Sequence, residues 1–256
     1  MTVMNSLDRM LRILDLFTEE RLEWTSEQMI TELGYSRPTL YRYIKTLRDK
    51  GLLTSANNAC FTLGPKVVEM DYLMRKSDHL AQESKPILED LAARHGATAF
   101  LSRWYRTQVL CVESVLSDES PTSSFERGRP MPIGRSATSR AILASLPTRQ
   151  SDRIIEAEMD ELIAIGFANN PEEAKANLKA IRKAGYAVAE GEITQGVVGF
   201  SSPIFDGGRI PVACVSMSLI SDRVTPGRRP VLAAAIKSAA AELTARLIVI
   251  SGKSTQ

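Results

Sequence analysis

The chain has 256 residues, enough for two domains, and its 44% hydrophobic and 24% charged content is that of an ordinary globular protein. A formal net charge of +2 leaves no case for nucleic acid on total charge, so any such case rests on local clustering. Three widely spaced cysteines, Cys60, Cys111 and Cys214, fit a reducing cytoplasm and not a disulfide framework; no signal-peptide pattern opens the chain, and its most apolar long segment, residues 231–250, is interrupted by Lys237, Glu242 and Arg246, which argues against a membrane span.

Residues 5–17 read as one helix, with Leu7, Met10, Leu11, Leu14 and Phe17 recurring at helical spacing. Two further helices follow within residues 25–50. Thr25 and Gln28 form a capping-box pair, Met29, Ile30 and Leu33 supply one apolar stripe, and Gly34 suits the left-handed residue that ends a helix. Ser36 can cap the next helix, with Pro38 tolerated in its first turn. The short link is that of a helix-turn-helix. At roughly 100° per residue, Leu40, Ile44 and Leu47 share one side of the second helix, flanked by Tyr43, while Arg42 and Lys45 lie opposite, with Thr39 and Thr46 on the shoulder. Five basic residues, Arg37, Arg42, Lys45, Arg48 and Lys50, face a single acid, Asp49, over residues 37–50. Cations that hold phosphates beside short polar groups that reach base edges are what a DNA-reading helix needs. An ordinary amphipathic helix with a solvated basic face is the alternative. Strand-like runs at 52–54 and 60–63 around Ser55-Ala56-Asn57-Asn58-Ala59 read as a hairpin, and a hairpin after a basic second helix is a wing, which favours DNA.

A domain of about 65 residues with so small a core is marginal alone, which points to a dimer or a supporting neighbour. Gly64-Pro65 breaks the chain and restarts it as a stiff connecting helix, residues 66–76, whose Val67, Met70, Leu73 and Met74 could pack on a partner subunit or on the preceding domain. From residue 78 a helical segment runs to His95, interrupted or kinked near Pro86. Strands are expected at 98–104, 108–115, 186–190, 197–205 and 210–219, and helices at 136–144, 151–163, 171–184 and 226–250, with a long loop over 117–135. Short turns such as Asp206-Gly207-Gly208 make the sheet mainly antiparallel, so the second domain is α+β with helices gathered at one face.

Catalysis finds no support. No phosphate-binding loop, dinucleotide fingerprint or nucleophile elbow occurs, and His79 and His95 lack a nucleophile partner. Glu190 and Glu192 could share a side for paired-carboxylate work, though a solvated loop pair is the simpler reading, and no short metal-ligand spacing exists, so no catalytic residue, metal or cofactor is assigned. A binding pocket is better motivated. Residues 131–139 lead into a helix start rich in small hydroxyls, and helix N-termini favour anions. In the strand at 212–219, Val212, Cys214, Ser216 and Ser218 alternate with apolar residues, so this hydroxyl-bearing side lines a polar pocket or faces solvent.

The order of these features resembles the IclR family of bacterial transcription regulators. The likeness is carried by Ser36-Arg37-Pro38-Thr39-Leu40-Tyr41-Arg42, Gly51-Leu52-Leu53 and Phe61-Thr62-Leu63-Gly64, and then by Gly128-Arg129-Pro130-Met131-Pro132, Gly185-Tyr186-Ala187-Val188, Ser202-Pro203-Ile204-Phe205-Asp206 and Val215-Ser216-Met217-Ser218. The resemblance implies an α+β chain: a winged helix-turn-helix domain at 1–64, a connecting helix at 65–78, and a GAF/profilin-like antiparallel sheet domain with flanking helices at 79–256, for effector binding and oligomerisation. By position it implies a DNA-facing set of Ser36, Arg37, Thr39, Tyr41, Arg42 and Lys45, and an effector-binding set of Ser136, Ala137, Ser139, Gly199, Cys214, Ser216 and Ser218. Implied partners are palindromic operator DNA, a small organic or aromatic acid, and further copies of the chain in a homodimer or homotetramer. Two departures are visible: Ser139-Arg140 where the family often has Gly-Lys, and Gly199 where it often has cysteine. The competing readings are a small-molecule enzyme or sensor with an incidental helix-turn-helix, or a winged-helix regulator of another family.

Overall fold

The computed structural model describes residues 5–56, 59–105, 108–118, 126–207 and 210–253. Contacts divide the chain between Ser77 and Asp78. In the first unit, α1 (Ser6–Leu11) starts on a capping box between Asn5 and Asp8 and ends after less than two turns; a 3-10 turn, Leu14–Leu16, follows. The expected single helix over 5–17 is therefore broken. The break rotates the apolar positions out of register, leaving Leu7 and Leu11 in solvent and burying Ile13 completely. Then come β1 (Trp24–Thr25), α2 (Ser26–Leu33), α3 (Arg37–Asp49), β2 (Leu53–Ser55) and β3 (Cys60–Leu63). The strands form an antiparallel sheet in the order β1-β3-β2. So the wing is a β2–β3 hairpin with a third strand beside it, which the periodicity of Trp24–Thr25 was too short to announce. The Asn57-Asn58 part of its turn lies outside the described residues.

The core of this unit gathers Ile13, Trp24, Met29, Leu40, Tyr43, Ile44, Leu47 and Leu53. The Trp24 indole N–H donates to the Leu16 carbonyl at 2.8 Å, and the hydroxyls of Tyr43 and Ser6 lie 2.9 Å apart. Both bonds tie the irregular N-terminal segment to the helix pair. The next helix, α4 (Pro65–Ser77), falls within the same unit and leaves Val68, Tyr72, Leu73 and Met74 exposed.

The second unit is built on a six-stranded, wholly antiparallel sheet in the order β6-β5-β4-β9-β8-β7, from β4 (Thr98–Trp104), β5 (Val109–Leu116), β6 (Pro130–Met131), β7 (Ala187–Glu190), β8 (Val197–Phe205) and β9 (Pro211–Ile220). Helices cover both of its faces, not one. Against one face, α5 (His79–His95) and α10 (Arg229–Lys253) bury Leu88, Leu101, Val215, Met217, Leu232 and Ile236. Against the other, α6 (Ala137–Ser145), α7 (Thr148–Ala157), α8 (Met159–Ala164) and α9 (Pro171–Ala184) bury Phe100, Ile142, Ile155, Leu162 and Leu178. The reason is in β9: Cys214, Ser216 and Ser218, expected to face a pocket or water, are buried as fully as Ala213, Val215, Met217 and Leu219, while Val212 is half-buried, so both sides need a cover. The helix expected over 151–163 breaks at Glu158, whereas α5 runs unbroken through Pro86. Part of the loop at 117–135, residues 119–125, and part of the Asp206-Gly207-Gly208 turn lie outside the described residues.

Asp78 caps α5 through the Ala81 N–H and forms a two-point ion pair with Arg103 on β4. Burial pushes its carboxyl pKa up, but the Arg103 guanidinium and the Ala81 N–H outweigh that and hold it below the ordinary 3.8. The stability this contributes is present above the unfolded-state pKa and is lost as pH falls through the lowered folded value. Asp78→Asn is therefore expected to destabilise the protein at neutral pH by about 1–2 kcal/mol. In urea titrations over a pH series the gap from the parent should close as pH falls through the lowered folded-state pKa, and a pH-independent gap would refute the charge assignment. In the first unit, Ile13→Ala is expected to cost about 2–5 kcal/mol and Leu7→Ala under about 0.5. The readout is Trp24 fluorescence during urea unfolding in a Trp104→Phe background; equal losses would contradict the broken helix.

Candidate nucleic-acid interface and effector cavity

The capping box at Thr25 and Gln28 is formed, and Gly34 takes φ 66° to end α2, so the turn into α3 is fixed by three local choices. Ser36 holds the N-cap position of α3, yet its hydroxyl donates to Thr39 Oγ1 at 3.0 Å and caps no backbone N–H. Leu40, Tyr43, Ile44 and Leu47 turn inward. Ser36, Arg37, Tyr41, Arg42 and Lys45 are exposed and Thr39 is half-buried, so the six positions expected to face DNA all lie on the outer part of α3 and its start. Tyr41 shares a hydroxyl contact of 3.1 Å with Ser26 of α2, and the Arg42 guanidinium sits 5.4 Å from the centre of the Tyr43 ring. Both side chains are thus oriented by neighbours, and both residues remain exposed. Cations and hydroxyls on the exposed side of a helix locked into a core can meet a major groove.

The second site lies where α6 approaches the sheet. Ser136 caps α6, accepting the Ser139 N–H at 3.3 Å, and does so at φ 89°, a left-handed conformation that costs a non-glycine residue energy. Below the helix run cross-strand pairs of small residues: Gly199 with Ser218, Ser201 with Ser216, and Pro203 with Cys214. They let α6 come close. A side-chain carbon added at Gly199 would stand 3.6 Å from the Ala137 methyl, ordinary contact. A narrow cleft with about 30 Å³ of interior space opens here, and Ser136, Ala137, Gly199, Ser218, Phe100 and Glu192 are among its lining. Ser139, Cys214 and Ser216 stand behind that wall. The Ser139 hydroxyl donates to the Pro132 carbonyl at 2.7 Å; Ser216 closes a triangle with Thr138 and Ser201 whose edges are 2.8, 2.9 and 3.2 Å. Burial pushes the Cys214 thiol up to about 12, and Cys111 likewise, so neither is a nucleophile at neutral pH.

Two residues of this site escape sequence reasoning as ligands to each other. Glu190 and Glu192 do not converge: Glu190 pairs with Arg229 at 2.6 Å in solvent, while Glu192 turns inward to Arg140 at 2.7 Å. Oε2 of Glu192 also accepts the Ser136 N–H at 3.1 Å. Arg140 is buried and stacks 4.2 Å from the Phe167 ring centre. Burial lowers its pKa while Glu192 opposes the change. The available signal was a lone charge within the otherwise small and apolar run Ala137-Thr138-Ser139-Arg140-Ala141-Ile142. No group of acids, histidines and cysteines among the described residues could hold a metal ion, and no described helix is long and apolar enough to cross a membrane.

Residues 6–56 match the family model of the IclR helix-turn-helix domain, and residues 72–245 match that of the bacterial transcriptional regulator IclR C-terminal domain. The HTH-type transcriptional regulator XynR of Escherichia coli (strain K12) is 26% identical over 225 residues, covering 88% of this chain and 89% of that protein. A crystal structure of an IclR transcriptional regulator from Silicibacter sp. TM1040 has a TM-score of 0.82 at 22% identity, covering 95% of this chain and 96% of that one. An IclR homolog from Microbacterium hydrocarbonoxydans, solved in complex with 4-hydroxybenzoate, has a TM-score of 0.75 at 20% identity, covering 95% and 99%. The matching families and named relatives are transcriptional regulators, which sets aside the enzyme reading.

The hydroxyl triangle generates its own test. Ser216→Ala leaves Thr138 and Ser201 short of a buried partner, and is expected to lower unfolding stability by about 1–3 kcal/mol. An unchanged urea midpoint would show that the three groups are satisfied in some other way.

Proposed function

The chain belongs to the IclR family of bacterial transcriptional regulators, and from that premise we propose that it acts in the cytoplasm on a palindromic operator, under control of a small organic or aromatic acid bound at the α6 cavity. Residues 1–64 read the duplex, 65–78 connect, and 79–256 bind effector and hold copies of the chain together as a dimer or tetramer. The observation that carries the reading is the exposed set on α3: Arg37, Arg42 and Lys45 for phosphates and guanine edges, Ser36, Thr39 and Tyr41 for shorter polar contacts. The apolar side chains that α4 leaves in solvent support self-association, since a second copy can cover them. Support for an acid comes from the N-terminus of α6, which favours anions and where the Ser136 N–H already holds a carboxylate, and from the relative solved with 4-hydroxybenzoate.

Two reading helices in a dimer meet half-sites about one helical turn apart, or a multiple of it. Effector binding that favours one of two spacings changes operator affinity, and a useful switch needs about 1–3 kcal/mol of coupling. Arg42→Ala is expected to weaken binding to labelled DNA from the gene's own upstream region by about 1–3 kcal/mol and to lower the slope of affinity against salt by about one. Unaltered affinity across the salt series would show that Arg42 lies off the reading face.

A further inference from the structure

The Glu192 carboxylate occupies the place an effector acid would take. One oxygen accepts the Ser136 N–H at the start of α6, at 3.1 Å, and the other pairs with Arg140 at 2.7 Å. Arg140 is only 6% exposed, yet its Nε and Nη2 have no hydrogen-bond partner among the described residues. A guanidinium is a rigid fork suited to two parallel bonds with one carboxylate. Glu192 makes only one of them, while its second oxygen accepts the Ser136 N–H. The buried cation is thus held by a single hydrogen bond and the Phe167 ring, near a narrow cleft lined partly by Phe100, Ala137, Gly199 and Glu192 itself. Glu192 itself sits between Gly191 at φ 67° and Gly196 at φ 76°, two left-handed glycines with open space where a side chain would begin. These two turns bound the short segment that carries Glu192.

We propose that Glu192 is a built-in competitor for the effector, and that an organic acid binds by displacing its carboxylate and taking the Arg140 guanidinium and the Ser136 N–H in its stead. This rests on the reading of the α6 cavity as the effector site and adds to it the charge, the two ligating groups and the moving part. Charge is conserved: one carboxylate leaves the buried cation as another arrives, and Glu192 passes to solvent with residues 191–196. A neutral ligand lacks the means to replace it. An acid not tethered to the chain can turn its carboxylate to make the guanidinium bond that Glu192 leaves unmade.

The test is calorimetric titration of the full-length protein and its Glu192→Gln and Arg140→Gln variants with 4-hydroxybenzoate and, separately, with its neutral amide, each variant checked by far-UV circular dichroism. Glu192→Gln is expected to bind the acid at least about tenfold more tightly than the parent, Arg140→Gln at least about tenfold more weakly, and the amide should show no gain with Glu192→Gln. Glu192→Asp, too short to span both partners, should fall between parent and Gln and serves if Glu192→Gln does not fold. Acid binding by the parent with no gain in either Glu192 variant would overturn the displacement while leaving the cavity reading intact. An equal gain for the amide would overturn the carboxylate exchange. Binding by none of the proteins would remove the acid reading itself and the competitor with it.

Discussion

Leu40, Tyr43, Ile44 and Leu47 are sealed against Ile13, Trp24, Met29 and Leu53, and everything α3 can do outward depends on that seal. Each fully buried side chain of this kind contributes about 1.5–3 kcal/mol, enough to hold one helix in one orientation inside a unit otherwise too small to be rigid. The remaining side is left to charge and hydroxyls. Capping at Thr25, the left-handed Gly34 and the Trp24 bond to Leu16 then fix the angle at which that side is presented. Affinity for a polyanion on a nearly neutral chain follows from this sorting of residues, not from bulk composition.

The second unit applies the opposite logic, placing polar groups where a core would ordinarily be dry. Thr138, Ser201 and Ser216 satisfy one another, and Glu192 and Arg140 do so in part. A fully paired network is inexpensive and specifies the seating of α6; a partly paired one is a place where a ligand can improve on the protein's own contacts. The left-handed Ser136 marks the same spot, since backbone strain persists only where its surroundings enforce it.

Local chemistry made the first unit readable: a capping box, a terminating glycine and a clean apolar stripe each act within a few residues, and α2 and α3 follow them closely. The segment before them read only in part: Met10, Leu14 and Phe17 pack on the core as their spacing suggests, but a 3-10 turn, stabilised from Trp24, carries Ile13 inward and leaves Leu7 and Leu11 in solvent. The sheet's strands were legible, but its second helical layer was not. Serines on β9 look the same in sequence whether they face water or are roofed by α6. The exposed surface of α3 follows directly from periodicity. The cavity wall does not, because Ser218 and Gly199 line it while Ser216 and Cys214 lie beneath α6, a difference set by where one helix crosses the sheet. Arg140 and Glu192, 52 positions apart, meet only through that crossing.

The claim on which the account stands is that α3 enters a major groove. Methylation interference on the bound upstream DNA reads this directly, because guanine N7 lies in the major groove and adenine N3 in the minor. Guanine methylation should block binding at two clusters about one helical turn apart or a multiple of it, with adenine methylation between them of little effect. Interference confined to adenine N3, or absent altogether, would contradict it.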